Sequence, residues 1–333
     1  MTQFINSKEA LVVEAIDGLL RGSGGRLARL DGYPHIKVVL RTDWDRSKVA
    51  IVSGGGSGHE PAHAGFVGQG MLTAAVCGDV FASPSVDAVL AAILSVTGKA
   101  GCLLIVKNYT GDRLNFGLAA ERARAFGLSV NMVIVDDDVA LPDLPQARGV
   151  AGTLFVHKIA GALAEAGENL EAVTAAAKRV IDGVVSIGMS LDTCTIPGSP
   201  KDERIRPGHA ELGLGIHGEA GAEQVSFKDA RQAMEAVIGR LAPRMKPGPH
   251  VALLNNLGGA THLEMSVLAE ELARSSIAGQ IRWIVGPAAI MTSLDMQGFS
   301  LSMLPLSKEA ETALLAPVVP WAWPGLAPFG RGE

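Results

Sequence analysis

From residue 36 onward the chain alternates short β-branched apolar runs with alanine-rich helical stretches, and that alternation restricts it to an α/β fold. IKVVL (36–40), VAIVS (49–53), LTAAV (72–76), CLLIVKN (102–108) and LSVNMVIV (128–135) read as strands bounded by turn residues. Between them, SPSVDAVLAAILSV reads as a helix capped by Ser83 with Pro84 in its first position, and a second helix spans about 115–126. Ahead of all of them, a helix opens at Asn6 with Glu9 as a capping-box partner and runs to about Leu20, before Gly22, Gly24 and Gly25. Strands alternating with helices form a mostly parallel sheet, whose ligands sit beyond the carboxyl ends of the strands. The loops at 53–63, 108–112 and 136–138 are therefore expected on one rim.

A helical, alanine-rich region over about 150–185 ends the first unit, so two α/β domains with mostly parallel or mixed sheets are expected, divided as 1–185 and 186–333. The second unit has a polar, Pro/Gly-punctuated segment, a helix near 229–242, the strand HVALLNN (250–256), a helix over 261–275 and the strand IRWIV (281–285). The tail LAPVVPWAWPGLAPFGRGE reads as an extended segment packed on the body by its aromatics.

A content of 48% hydrophobic residues lets 333 residues bury a sizeable core. The net charge of −5 arises from interspersed charges with no basic run, which argues against nucleic acid as a partner. No secretory signal and no span of 18 apolar residues is visible, so no membrane partner is expected. Cys77, Cys102 and Cys194, an odd and widely spaced set in apolar surroundings, fit neither a disulfide framework nor a zinc site, and a reducing cytoplasmic setting is expected.

The motif SGGGSGHEPAH (53–63) follows a strand directly. A P-loop would place a lysine and a hydroxyl residue after the last glycine, where His59 and Glu60 stand, and a dinucleotide fingerprint would need a third glycine at a different offset. What remains is backbone that a small ligand can approach closely beside a histidine, or simply a tight strand–helix turn. His59 and His63 match H-E-x-x-H, but Pro61 disfavours the helix that a zinc site of that kind requires. KNYTGD (107–112) puts Lys107 at a strand end, where burial would depress its pKa, and Asp112 at a helix start, as a cap or a base. Asp136, Asp137 and Asp138 could contact Mg²⁺ or be structural. In GLGIHGE (213–219), His217 stands between Gly215 and Gly218, which leave its imidazole accessible as a nucleophile toward a carbonyl or as a structural group.

Taken in order, SGGGSGHEP (53–61), GQGM (68–71), KNYTGD (107–112), VDDDVA (135–140), RGVAGT (148–153) and GIHGE (215–219) resemble the substrate-binding K subunit, or K domain, of the dihydroxyacetone kinase family. The resemblance implies two α/β domains of the K-domain type, commonly dimeric, and a short ketose such as dihydroxyacetone or erythrulose held as a covalent hemiaminal on His217. It implies that Gly56, Ser57, Gly58 and His59 surround the ligand's hydroxyls, that Asp112 is the general base and that Lys107 adds a polar contact. It further implies that no metal or cofactor binds this chain, and that ATP or ADP with Mg²⁺, or a phosphoprotein of a phosphotransferase system, serves a separate L-type donor subunit. A ligand-dependent co-regulator without turnover is the competing expectation.

Overall fold

The computed structural model describes residues 4–30, 32, 35–141 and 146–330. The first helix, α1 (Leu11–Gly22), starts later than its sequence suggests. Asn6 and Glu9 form no capping box; the Asn6 amide donates to Glu14, and Ser7 Oγ accepts from the Ala10 N–H at 3.1 Å. Two short strands follow, β1 (Leu27–Arg29) and β2 (Val38–Arg41), and then β3 (Ala50–Ser57) and β4 (Ala74–Val80). Next come α2 (Val86–Val96), β5 (Cys102–Lys107), α3 (Thr110–Ala125), β6 (Val130–Val135), α4 (Thr153–Glu165) and α5 (Leu170–Ile181). The six strands order as β1-β2-β4-β3-β5-β6, with β4, β3, β5 and β6 mutually parallel and the β1–β2–β4 pairings antiparallel.

The second half contains β7 (Val185–Ser190), β8 (His209–Leu212), β9 (Glu223–Ser226), α6 (Ala230–Leu241), β10 (His250–Asn256) and α7 (His262–Ala273). It closes with β11 (Ile281–Ala288), β12 (Gly298–Pro305), α8 (Lys308–Leu315) and β13 (Ala327–Pro328). Its order is β13-β11-β10-β12-β7-β8-β9, in which only β10 and β11 run parallel. This sheet is mixed rather than mostly parallel because β12, a run (GFSLSMLP) that the strand–helix pattern alone does not single out, threads antiparallel between β10 and β7.

Strand side chains alternate between faces, and the packing follows that period. Ala50, Val52, Leu104 and Val106 face α2 and α3, while Ile51, Leu103 and Ile105 face the layer that holds α4 and α5. Val251 and Leu253 of β10 reach that same inner layer from the second sheet, and Ala252 and Leu254 point the other way toward α6 and α7. The result is five layers, helices outside and between two sheets. Each fully buried aliphatic side chain contributes about 1.5–3 kcal/mol, so these interleaved faces supply most of the drive to fold. Among the described residues no helix is long and apolar enough to cross a membrane.

The glycine motif is strand for its first five residues: β3 continues through Gly54, Gly55 and Gly56 to Ser57. A Cβ on Gly54 would lie 2.2 Å from the Val76 carbonyl oxygen, and one on Gly56 would lie 2.7 Å from the Ala82 nitrogen. Those two glycines admit neighbouring backbone, not a phosphate. The chain then turns over 58–63 without an α-helix, so the H-E-x-x-H spacing never becomes one face of a helix.

Candidate functional site

Because β3, β4, β5 and β6 are parallel, their carboxyl ends deliver Ser57–His59, Phe81, Lys107 and Asp136 to the same rim. Two segments of the second half close over it. The turn after β8 carries His217, and the stretch after β11 clamps the glycine turn: Leu294 N–H donates to the Gly58 carbonyl at 2.9 Å, Thr292 N–H to the His59 carbonyl at 3.2 Å and Thr292 Oγ1 to the Glu60 carbonyl at 2.9 Å.

His59 is fully buried. Its Nδ1 lies 2.8 Å from the Thr292 carbonyl, which can only accept, so Nδ1 carries the proton and Nε2, which has no partner, carries a lone pair. Burial, with the nearby Lys107 and His217, holds its pKa well below the ordinary imidazole range and keeps it neutral. Its ring is 4.8 Å from that of His217, centroid to centroid, and Phe81 touches both, stacked at 5.2 Å on His59 and edge-on at 5.2 Å to His217. Phe81 sits at φ +55°, a conformation that costs an L-residue roughly 1–2 kcal/mol, and this strained backbone sets its ring against both imidazoles. A Cβ on Gly58, itself at φ +104°, would meet the Phe81 ring at 2.7 Å.

On the other side of the rim, the Lys107 ammonium is buried without a hydrogen-bond partner. Burial lowers its pKa, and Asp112 is the foremost charge opposing that fall. Asp112 lies in the first turn of α3 but does not cap it; the N-cap is Tyr109, with no side-chain hydrogen bond. One Asp112 oxygen instead accepts from Ser83 Oγ. Ser83 is free to do so because Ser85, not Ser83, caps α2. Burial raises the Asp112 pKa, moderated by Lys107 and Ser83, toward the range a general base uses. Asp112 and Lys107 converge on the α-carbon of Gly55: a Cβ there would lie 3.4 Å from Asp112 Oδ2 and 3.7 Å from Lys107 Nζ. Gly55 thus leaves a small space bounded by an acceptor and a donor.

His217 is 18% exposed at its side chain. Its Nδ1 lies 3.0 Å from Glu219 Oε1 and its backbone N–H donates to Glu219 Oε2 at 3.0 Å. Burial pushes the Glu219 pKa up, but hydrogen bonds from the His217 ring and backbone outweigh it and hold the carboxyl down at about 2. The Tyr109 ring lies edge-on to His217 at 4.4 Å.

The structure thus brings His59, His217, Asp112, Lys107, Ser57 and Gly58 to one rim, along with Gly56 on the strand between them. Ser57 donates its hydroxyl to the Gly78 carbonyl at 2.8 Å, which ties β3 to β4. Gly55, Phe81, Ser83, Tyr109, Glu219 and Thr292 are the neighbours that sequence reasoning did not select. Of these, Glu219 carried a local signal, since a carboxylate two residues from a histidine in a glycine-flanked turn can reach back to it; Ser83 and Thr292 carried none.

Two of the three aspartates at 136–138 are engaged with neighbouring chain. Asp137 accepts from the N–H groups of Val150 and Gly152 at 2.8 Å each and from Ser186, and Asp138 accepts from Arg148 at 2.7 Å and the Ala140 N–H at 2.9 Å. Asp136 is exposed. Among the described residues no three His, Cys, Asp or Glu side chains are grouped to hold a metal ion. Asp137 and Asp138 hold backbone, and Asp137 joins β6 to β7.

A family model described as the Dak1 domain matches residues 25–321. A dihydroxyacetone kinase of Citrobacter freundii is 51% identical over 98% of this chain, and a PTS-dependent dihydroxyacetone kinase 1, dihydroxyacetone-binding subunit DhaK, of Listeria innocua is 42% identical over 97% of this chain and 100% of its own length. The chain spans 59% of the C. freundii protein. The crystal structure of the C. freundii kinase in native form matches with a TM-score of 0.97 and 50% identity, covering 100% of this chain and 62% of that one. The dihydroxyacetone kinase operon co-activator Dha-DhaQ matches with a TM-score of 0.88 and 29% identity, covering 94% of this chain and 98% of that one.

Proposed function

The chain belongs to the Dak1 domain family, and from that premise we propose that it is the ketose-binding part of a dihydroxyacetone-type kinase. The observation that carries the proposal is the pair of imidazoles, His59 and His217, with centroids 4.8 Å apart at the rim where Asp112 and Lys107 also converge. A short ketose enters with its carbonyl carbon against His217 Nε2 and is held there as a hemiaminal, while its reacting hydroxyl lies between His59 and Asp112 and gives its proton to Asp112. Lys107 supports the adjoining oxygen, and a polyol without a carbonyl finds no anchor. The residues 1–185 unit supplies the hydroxyl-binding rim and the 186–333 unit supplies the anchor.

The phosphoryl donor, a nucleotide with Mg²⁺ or a phosphoprotein, is held outside the rim described above, on a separate L-type subunit. What supports a place outside this rim is local: Gly54 and Gly56 are packed against backbone, and Asp137 and Asp138 are engaged with neighbouring chain. The working unit is proposed to be a cytoplasmic homodimer.

The test is ¹³C NMR of carbonyl-labelled dihydroxyacetone, and then erythrulose, with the wild-type chain and with His217→Ala. A tetrahedral carbon with wild type alone supports the anchor, and its absence with both ketoses removes it. The likeness to the operon co-activator keeps one other reading in view, a ketose sensor without turnover. Phosphorylation by wild type in the presence of a donor subunit, lost in Asp112→Asn, separates the two.

A further inference from the structure

The turn around His217 is built to place one carboxylate. Gly215 N–H donates to the Glu219 carbonyl at 3.1 Å and Gly218 N–H to the Gly215 carbonyl at 3.2 Å, folding the five residues GIHGE back on themselves. A Cβ on Gly215 would lie 2.0 Å from Glu219 Oε2, and one on Gly218, at φ +81°, would lie 2.9 Å from Cys194 Sγ. The flanking glycines therefore do more than expose the imidazole: Gly215 makes the space that the Glu219 carboxylate fills. From there Glu219 grips His217 twice, at its backbone N–H and at Nδ1, both at 3.0 Å.

We infer that Glu219 is the positioning residue that holds His217 as its Nδ1–H tautomer, so that Nε2 presents the lone pair, and that its charge offsets the imidazolium formed when that nitrogen binds a carbonyl carbon. The first half follows from donor and acceptor types, because an ionised carboxylate accepts only and the proton between the two groups must belong to Nδ1. Glu219 is held ionised through the whole neutral range. The second half rests on the proposed role of His217 as the ketone anchor. In that step the Nε2 lone pair forms the N–C bond, the carbonyl π pair moves to oxygen, and the alkoxide takes a proton from solvent. Nδ1 keeps its own proton, leaving one positive charge on the ring against the Glu219 carboxylate.

A second layer backs the first. The same Gly215 position has Arg148 Nη1 at 2.9 Å from where a Cβ would be, and the Arg148 guanidinium is itself fixed by Asp138 and by the Gly213 carbonyl at 2.7 Å each. Thus VDDDVA and RGVAGT, which lie on the first unit, brace the wall on which the His217 turn rests.

The test uses the intact chain with ¹⁵N-labelled histidine. In Glu219→Gln one amide oxygen faces two N–H groups; the backbone N–H retains it, and the amide NH₂ turned to Nδ1 selects the opposite tautomer. In the free protein His217 is expected to show a protonated Nδ1 and a bare Nε2, and Glu219→Gln is expected to shift that proton to Nε2 and lower the tetrahedral ¹³C adduct by at least about tenfold, since a wrong tautomer removes the lone pair. A wild-type His217 protonated at Nε2, or a variant with tautomer and adduct unchanged, overturns the proposal. Should Glu219→Gln fail to fold, the wild-type spectrum still decides. A tautomer that switches as expected in a protein that forms no adduct at all leaves the positioning role intact and defeats the anchor reading instead.

Discussion

Nδ1 of His59 donates to the Thr292 carbonyl at 2.8 Å and Nδ1 of His217 donates to Glu219 at 3.0 Å, so the two imidazoles, 4.8 Å apart, are fixed in the same tautomer by unrelated partners. Two unprotonated Nε2 atoms at one rim suit a ligand that brings both an electrophilic carbon and a hydroxyl proton, as a hydroxyketone does.

Asp112→Asn should separate binding from turnover. The introduced amide can still accept from Ser83 but cannot take a proton. With a donor subunit present, phosphorylation of dihydroxyacetone is expected to fall about 10²–10⁴-fold while the tetrahedral ¹³C signal persists. Equal loss of both signals would assign Asp112 to binding rather than to proton transfer.

Gly215→Ala should break the same Glu219–His217 contact as Glu219→Gln while leaving the identity of both polar residues unchanged. The added methyl would sit 2.0 Å from Glu219 Oε2, so the carboxylate must leave. The expected readout is a His217 ring that loses its single tautomer in ¹⁵N spectra, with ketone adduct reduced to the same degree. A normal His217 spectrum would mean that the turn relaxes around the methyl.

Gly58→Ala should cost stability as well as binding. The residue is at φ +104° and its Cβ would press on the Phe81 ring at 2.7 Å. Strain and overpacking together are expected to lower unfolding free energy by about 1–3 kcal/mol, read from denaturant melts. The displaced Phe81 should also loosen both imidazoles and weaken ketose binding.

The acid limb of the stability profile should carry the mark of His157. Burial first, and Lys107 second, lower its pKa from 6.5 to about 3, while Nε2 is 3.1 Å from Ser53 Oγ. Below pH 6.5 the unfolded chain binds a proton that the folded chain refuses. Stability therefore falls as pH drops from 6.5 toward 3, by up to about 5 kcal/mol for this group alone. His59 and His63, buried and depressed in the same way, steepen the fall. His157→Gln, whose amide can still donate to Ser53, should flatten the profile between pH 6.5 and 4 and leave it unchanged near pH 8. An unaltered slope would show that His157 is not among the groups responsible.

Much of this molecule was legible in one dimension. Continuous apolar runs such as CLLIVK and VALL become buried strands, because two covered faces demand apolar residues on both, and so the α/β class and the shared rim of the parallel strands followed from the pattern alone. The ordered motifs around His59, Lys107, Asp112 and His217 pointed to a ketose kinase family, and the Dak1 match agrees. Tertiary structure decided what local chemistry leaves open. The sequence points to Ser83 as the cap of α2, ahead of Pro84, whereas in the fold Ser85 caps the helix and Ser83 instead meets Asp112, which arrives from α3. GFSLSMLP has no partner in its own neighbourhood, and pairing with β10 and β7, far away along the chain, makes it a central strand. Three glycines in a row are permissive of a phosphate loop or a strand, and the close approach of the Val76 and Phe81 backbone selects the strand. A histidine has two nitrogens of nearly equal basicity, so which one is bare is settled by acceptors that folding delivers: Thr292 from more than two hundred residues away and Glu219 from a turn that only Gly215 permits.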